Sequence, residues 1–152
     1  MELVTLLEAN AGAILAESME AMGRAHLSHY EASPPAEVRT RLQALYDTLL
    51  AGLRRRDLSH VLEYAESIAR ERYAAGFPLG EVQTAFNVLE EAVWKWITTR
   101  LEPAQQAESL ALVSTVLGAG KDRLAQTWVS LATSTQAPAL VMAALFRGTE
   151  GV

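Results

Sequence analysis

Three histidines are the first residues to weigh for chemistry. His26 and His29 stand one helical turn apart with Glu31 near, and that spacing could chelate a metal ion. No third ligand has the matching spacing, and the pair falls where a helical pattern runs out. An adventitious metal, or none, is the expectation. His60 has the side chain of an axial haem ligand, yet a surface or capping histidine is the simpler reading for the first turn of a helix. A di-iron bundle needs Glu-x-x-His on two helices, and no glutamate lies three residues before any histidine here. The chain has no Walker loop, no Gly-x-Gly-x-x-Gly and no Gly-x-Ser-x-Gly. It has no cysteine, which removes thiolate metal sites, thiol catalysis and disulfides. No catalytic residue, metal site or cofactor is nominated, and a non-enzyme is expected.

Other charged and aromatic residues have two readings each. Arg54-Arg55-Arg56 could hold an anion, or compensate the dipole at a helix C-terminus. Lys121 falls on a leucine stripe between Leu117 and Leu124. A lone ammonium there is costly, so it should snorkel outward or meet a carboxylate. Glu17 and Glu90 are the candidates for a buried polar contact. In Trp94-Lys95-Trp96-Ile97, Trp96 belongs to a core face. Trp94 points away from that face, towards another surface, a ligand or water. The run lacks the interleaved basic residues of a nucleobase-stacking platform.

The elements that must position these residues are helices. The chain has 152 residues, enough for one domain with a real core. Half of its residues are hydrophobic and a fifth are charged, which is globular composition. Its 13 basic and 18 acidic residues sum to −5, a poor balance for binding a phosphate backbone. No apolar run is long enough to span a bilayer, and Met1-Glu2 opens no signal peptide. A cytoplasmic protein is expected, with no nucleic-acid or membrane partner. Period-two alternation never persists, while apolar residues recur at helical spacing.

The spacing predicts an all-α, single-domain bundle of about five to six helices. The first spans about Glu2 to Tyr30, bending or ending near Gly23. The second spans Pro35 to Arg55 on the stripe Val38, Leu42, Leu45, Leu49 and Leu53. The third starts at Asp57 or Ser59 and stops at Gly76, where a left-handed glycine and then Pro78 end it. The fourth spans about Leu79 to Leu101, with the Glu81 carboxylate placed to accept first-turn amides. The fifth spans Pro103 to about Thr133, with leucine at 110, 117, 124 and 131. The alternate heptad positions Val113, Gly120, Thr127 and Ser134 are small or polar, which suits internal packing better than a zipper. Residues 1–134 form the helical domain. Residues 135–152 form a short apolar tail helix and end or linker, capped at Ser134 or Thr135. Trp94 with Leu140, Val141 and Leu145 of the tail makes a candidate interface.

The segment from Tyr64 to Val82, Tyr-Ala-Glu-Ser-Ile-Ala-Arg-Glu-Arg-Tyr-Ala-Ala-Gly-Phe-Pro-Leu-Gly-Glu-Val, carries a family resemblance. It resembles the N-terminal input domain of RsbR-type regulators, the RsbT co-antagonists of the bacterial stressosome, and the RsbRD type in particular. Helical input domains of PucR-type regulators and of signalling kinases are similar. The motif residues are Arg70, Arg72, Gly76, Leu79, Glu81 and Val82. The resemblance covers about Leu7 to Thr133 and implies a signalling input domain, all-helical and globin-like, haem-free and homodimeric. Such regulators carry a C-terminal STAS domain, and none is recognised after this segment. The chain is then an isolated input domain, a stand-alone member or a segment of a longer regulator, and stimulus and output stay open. The resemblance thus predicts an input domain acting through dimerisation and helix repacking. A helical small-molecule or haem-binding protein is the alternative.

Overall fold

The computed structural model describes the backbone of residues 2–150 and the side chains of residues 2–134. Among the described residues the chain is all-α, with no strand. In order the helices are α1 (Glu2–Ala9), α2 (Ala11–Arg24), α3 (Ser28–Ala32), α4 (Pro35–Arg55), α5 (Ser59–Ala74), α6 (Leu79–Arg100) and α7 (Pro103–Glu150). The three long helices α4, α5 and α6 follow the predicted boundaries closely. The two ends of the chain do not.

The single first helix expected from the pattern is three helices. Asn10 causes the first break. Its side-chain Nδ2 donates to the Leu6 carbonyl at 2.8 Å, the acceptor that its own amide would use in an unbroken helix. The second break falls beyond Gly23. α2 continues to Arg24, and His26 takes the left-handed conformation at φ 50°. At the other end, α7 runs unbroken through Ser134 and Pro138, so the expected separate tail helix is continuous with it. Strong helix formers flank Pro138, and proline removes only one backbone donor from the ladder. The side chains of Leu140, Val141 and Leu145 lie outside the described residues.

One core unites the helices. Leu3 and Leu7 of α1 meet Leu42, Leu45 and Leu49 of α4, and Phe86, Leu89, Val93 and Ile97 of α6 complete the centre with Leu117 and Leu124 of α7. The Tyr46 hydroxyl donates to the Leu7 carbonyl at 2.6 Å and pins α1 to α4. Burial raises the Tyr46 pKa, which keeps that donor protonated. α7 lies against α5 and α6 at very close range. A methyl group at Gly120 would stand 2.8 Å from Val61 Cγ2 and 3.0 Å from Phe86 Cε2. The small heptad positions of α7 are therefore internal contacts, with Val113, Gly120 and Thr127 all buried. The three arginines after Leu53 disperse. Arg54 Nε donates to Glu8 at 2.9 Å, Arg55 meets His60, and Arg56 lies 3.9 Å from Glu108.

α5 begins where the Asp57 carboxylate accepts the Ser59 amide at 2.9 Å and the Ser59 hydroxyl at 2.6 Å. Those bonds hold the Asp57 carboxyl below its usual range. α5 ends as the Gly-x-Pro pattern requires. Gly76 has φ 82°. The Phe77 amide donates to the Arg72 carbonyl at 3.0 Å and the Gly76 amide to that of Tyr73 at 3.1 Å, the paired bonds of a Schellman closure. A β-carbon at Gly76 would touch nothing within 4 Å, so substitution there tests backbone conformation alone. Gly76→Ala is expected to lower unfolding free energy by about 1 kcal/mol or more. Urea titration checks it, and an unchanged midpoint would contradict the assignment.

Candidate functional site

The closure of α5 delivers Phe77 into a cluster of charged and aromatic side chains. Its ring centroid lies 5.0 Å from that of His29 and 5.4 Å from that of Tyr30, the latter edge-on. The guanidinium of Arg41 lies 5.5 Å from the same centroid and that of Arg72 5.8 Å. Cations over an aromatic face are attracted by its quadrupole. Phe77 thereby joins α3, α4 and α5 at one end of the bundle.

Arg72 is the buried member, only 4% exposed. Its Nη1 pairs with Glu71, whose side chain is 64% exposed, while its Nε has no hydrogen-bond partner. Tyr30 lies beside it. Burial raises the Tyr30 pKa against the lowering pull of Arg72. Tyr64, nearby on α5, is pushed up to about 12 by burial, so both hydroxyls stay protonated at neutral pH. Of the other motif residues, Val82 is buried and Leu79 half-buried, while Arg70 is exposed.

Glu81 does not do what its position in α6 predicts. Its carboxylate reaches across to α3 instead of its own first turn. Oε1 accepts the Ser28 hydroxyl at 3.2 Å and the His29 amide at 3.4 Å. Oε2 accepts no well-directed hydrogen bond and has His29 Nδ1 3.0 Å away. The short α3 supplies free amides and a cation that offset the cost of burying the charge better than an exposed first turn would. The two histidines of the α2–α3 region accordingly serve different carboxylates, with His26 3.0 Å from Glu31. No group of three metal-ligating side chains exists among the described residues. His60 is exposed beside Arg55 and does not face the core.

A second polar contact lies between α6 and α7. Lys121 Nζ donates to Asn87 Oδ1 at 3.0 Å and lies 3.6 Å from Glu90 Oε2. The Ser114 hydroxyl reaches Glu90 Oε1 at 3.5 Å, and Oε2 itself accepts no hydrogen bond. Glu17 is not part of this seam. It accepts from Trp96 Nε1 at 3.1 Å and ties α2 to α6. Trp96 is half-buried instead of fully in the core, with Arg100 stacked 4.6 Å from its ring centroid. Trp94 is exposed at 42%. It stands one turn beyond Glu90 on the same strip of α6. Sequence spacing missed Arg41, Tyr30, Tyr64 and Phe77. Only Phe77 left a signal, since the residue after a closing glycine commonly packs back on its helix.

An all-helical domain with a buried arginine at a helix closure and no assembled catalytic group belongs to the regulatory class of small domains. The chain matches the family model described as the RsbT co-antagonist protein rsbRD N-terminal domain over residues 11–144, and it belongs to that family. No curated protein and no solved structure matches it. The family is a regulatory one, which makes this a stressosome-type regulatory input domain. No helix among the described residues is long and apolar enough to cross a membrane.

The Lys121 seam generates a direct test. Lys121→Met leaves Glu90 half-buried without its cation and is expected to cost about 1–3 kcal/mol. Glu90→Gln should recover part of that loss, so a double-mutant cycle in thermal melts should show coupling of about 0.5 kcal/mol or more. Additive effects would remove the pairing.

Proposed function

We propose that the domain works as a homodimer in the bacterial cytoplasm, feeding a stressosome-type output by repacking α6 against α7. The observation that carries this reading is the seam between those helices. Lys121, Glu90, Asn87 and Ser114 form a polar contact with one carboxylate oxygen unsatisfied. A packed apolar seam has one good arrangement. A polar seam with spare acceptors supports alternative pairings of similar energy, which is what a two-state element needs. The outer strip of α6 carries Asn87, Glu90 and Trp94 at helical spacing. A second copy docked on Trp94 would press on the helix that holds the seam. Leu140, Val141 and Leu145 enter the same interface on sequence alone, with residues 135–152 as the segment leading towards the output.

The reading is non-catalytic and requires no cofactor. Dimerisation through Trp94 gives it a measurable consequence. A central tryptophan in an interface commonly contributes about 2 kcal/mol or more, roughly thirtyfold in affinity. Sedimentation equilibrium of the wild-type chain is expected to show a dimer at tens of micromolar, in order of magnitude. Trp94→Ala should raise the dissociation constant by about thirtyfold, with circular dichroism unchanged. A monomeric wild type at that concentration, or a dimer indifferent to the substitution, would contradict the reading.

A further inference from the structure

The structure holds a small cavity between α3, α4, α5 and α6 that the dimerisation reading does not use. Its volume is about 20 Å³, and Tyr30, Arg41, Tyr64 and Arg72 line it together with an apolar wall that includes Leu45 and Phe86. We propose that this cavity is a binding site for a small carboxylate of formate or acetate size.

The donor inventory points to an anion. Arg72 is buried, and its Nε proton has no acceptor in the chain. Its Nη1 is used at the surface, on the largely exposed Glu71. Arg41 likewise spends Nη2 outside, on Glu37 at 2.7 Å, with that carboxylate 50% exposed. The Tyr64 hydroxyl makes only a long contact of 3.5 Å to the Arg41 carbonyl, so it can turn inward. The buried Glu81 carboxylate is directed to Ser28 and His29 of α3. No carboxylate is among the residues that line the cavity. Two guanidiniums and two protonated phenols therefore converge on a space walled otherwise by hydrocarbon.

The geometry of an arginine edge matches the planar, two-oxygen face of a carboxylate better than a single atom. Phenol donors add charge-assisted bonds to the same oxygens. Size restricts the ligand. The cavity has room for about one water, so the ligand must displace that water and carry little beyond its carboxylate. The methyl of acetate would meet Leu45 and Phe86. A route exists, because a groove of about 190 Å³ beside Met19 and Met22 shares Tyr30 and Val38 with the cavity. Tyr30 stands between the groove and the cavity, carried on the short α3.

Isothermal titration of the full chain with sodium formate, acetate and butyrate, at ionic strength held with sodium chloride, tests the proposal. Saturable binding of formate or acetate is expected, with butyrate at least about tenfold weaker. Tyr64→Phe removes one donor at nearly constant volume and should weaken binding by about tenfold. Arg72→Gln should abolish it. Circular dichroism verifies each fold, and Tyr64→Phe decides alone should Arg72→Gln fail to fold. Three results would overturn the site. They are no saturable heat for either small carboxylate, equal response to all three, and an affinity unchanged in Tyr64→Phe. A crystal grown in acetate that shows water alone in the cavity would overturn it as well.

Discussion

A guanidinium is the least tolerable charge to bury unless its surroundings are built for it, and Arg72 sits at 4% exposure where α5 ends. The turn after it follows from that requirement. The Arg72 carbonyl accepts the Phe77 amide, so the residue that is buried also fixes the chain reversal. Gly76 supplies the left-handed step, and Phe77 swings back under the two guanidiniums. One helix closure thereby sets the positions of α3, α4 and α6. The motif by which the family is recognised in the sequence is in large part this closure. Its glycine, arginine and glutamate are tied to packing, and none of them is arranged to react with a substrate.

The opposite demand governs α7. This helix must come close enough to α5 and α6 that Gly120 has no room for a methyl group beside Val61 and Phe86. Gly52 of α4 meets Val116 of α7 almost as closely, and a methyl group at Gly52 would stand 3.0 Å from Val116 Cγ1. Close approach at these points leaves little freedom for α7 to slide there. The polar seam of Lys121 with Asn87 and Glu90 lies one residue along the helix from Gly120 and is only partly buried. Rigid apolar contact and adjustable polar contact thus sit side by side along one helix. In such an arrangement, motion at the seam becomes rotation or tilt about the tight contacts.

Much of the fold was legible because local spacing controls it. α4, α5 and α6 follow from apolar stripes and from Pro35, Gly76 and Pro78. The all-α class follows from the absence of period-two alternation. What spacing misses are the places where a side chain competes with the backbone or reaches across the fold. Asn10 breaks the first helix by taking the Leu6 carbonyl, and nothing in a hydrophobic pattern records that competition. Glu81 looks like a first-turn cap but serves a helix 53 residues away. Lys121 on a leucine stripe narrows its partner to a carboxylate on a neighbouring helix, whereas the choice of Glu90 over Glu17 depends on which helices adjoin α7. Tyr30, Arg41 and Tyr64 carry no local pattern at all, because burial brings them together.

The α5–α6 turn, acting through Phe77 and Glu81, holds α3 in place over the bundle. Native-state hydrogen exchange of Glu81→Ala against the wild type tests this most directly, since exchange resolves local opening from global unfolding. The expected result is faster exchange confined to α3 and the turn around Phe77, with the amides of α7 near Gly120 as protected as before. Unchanged protection in α3, or an equal loss across every helix, would contradict it.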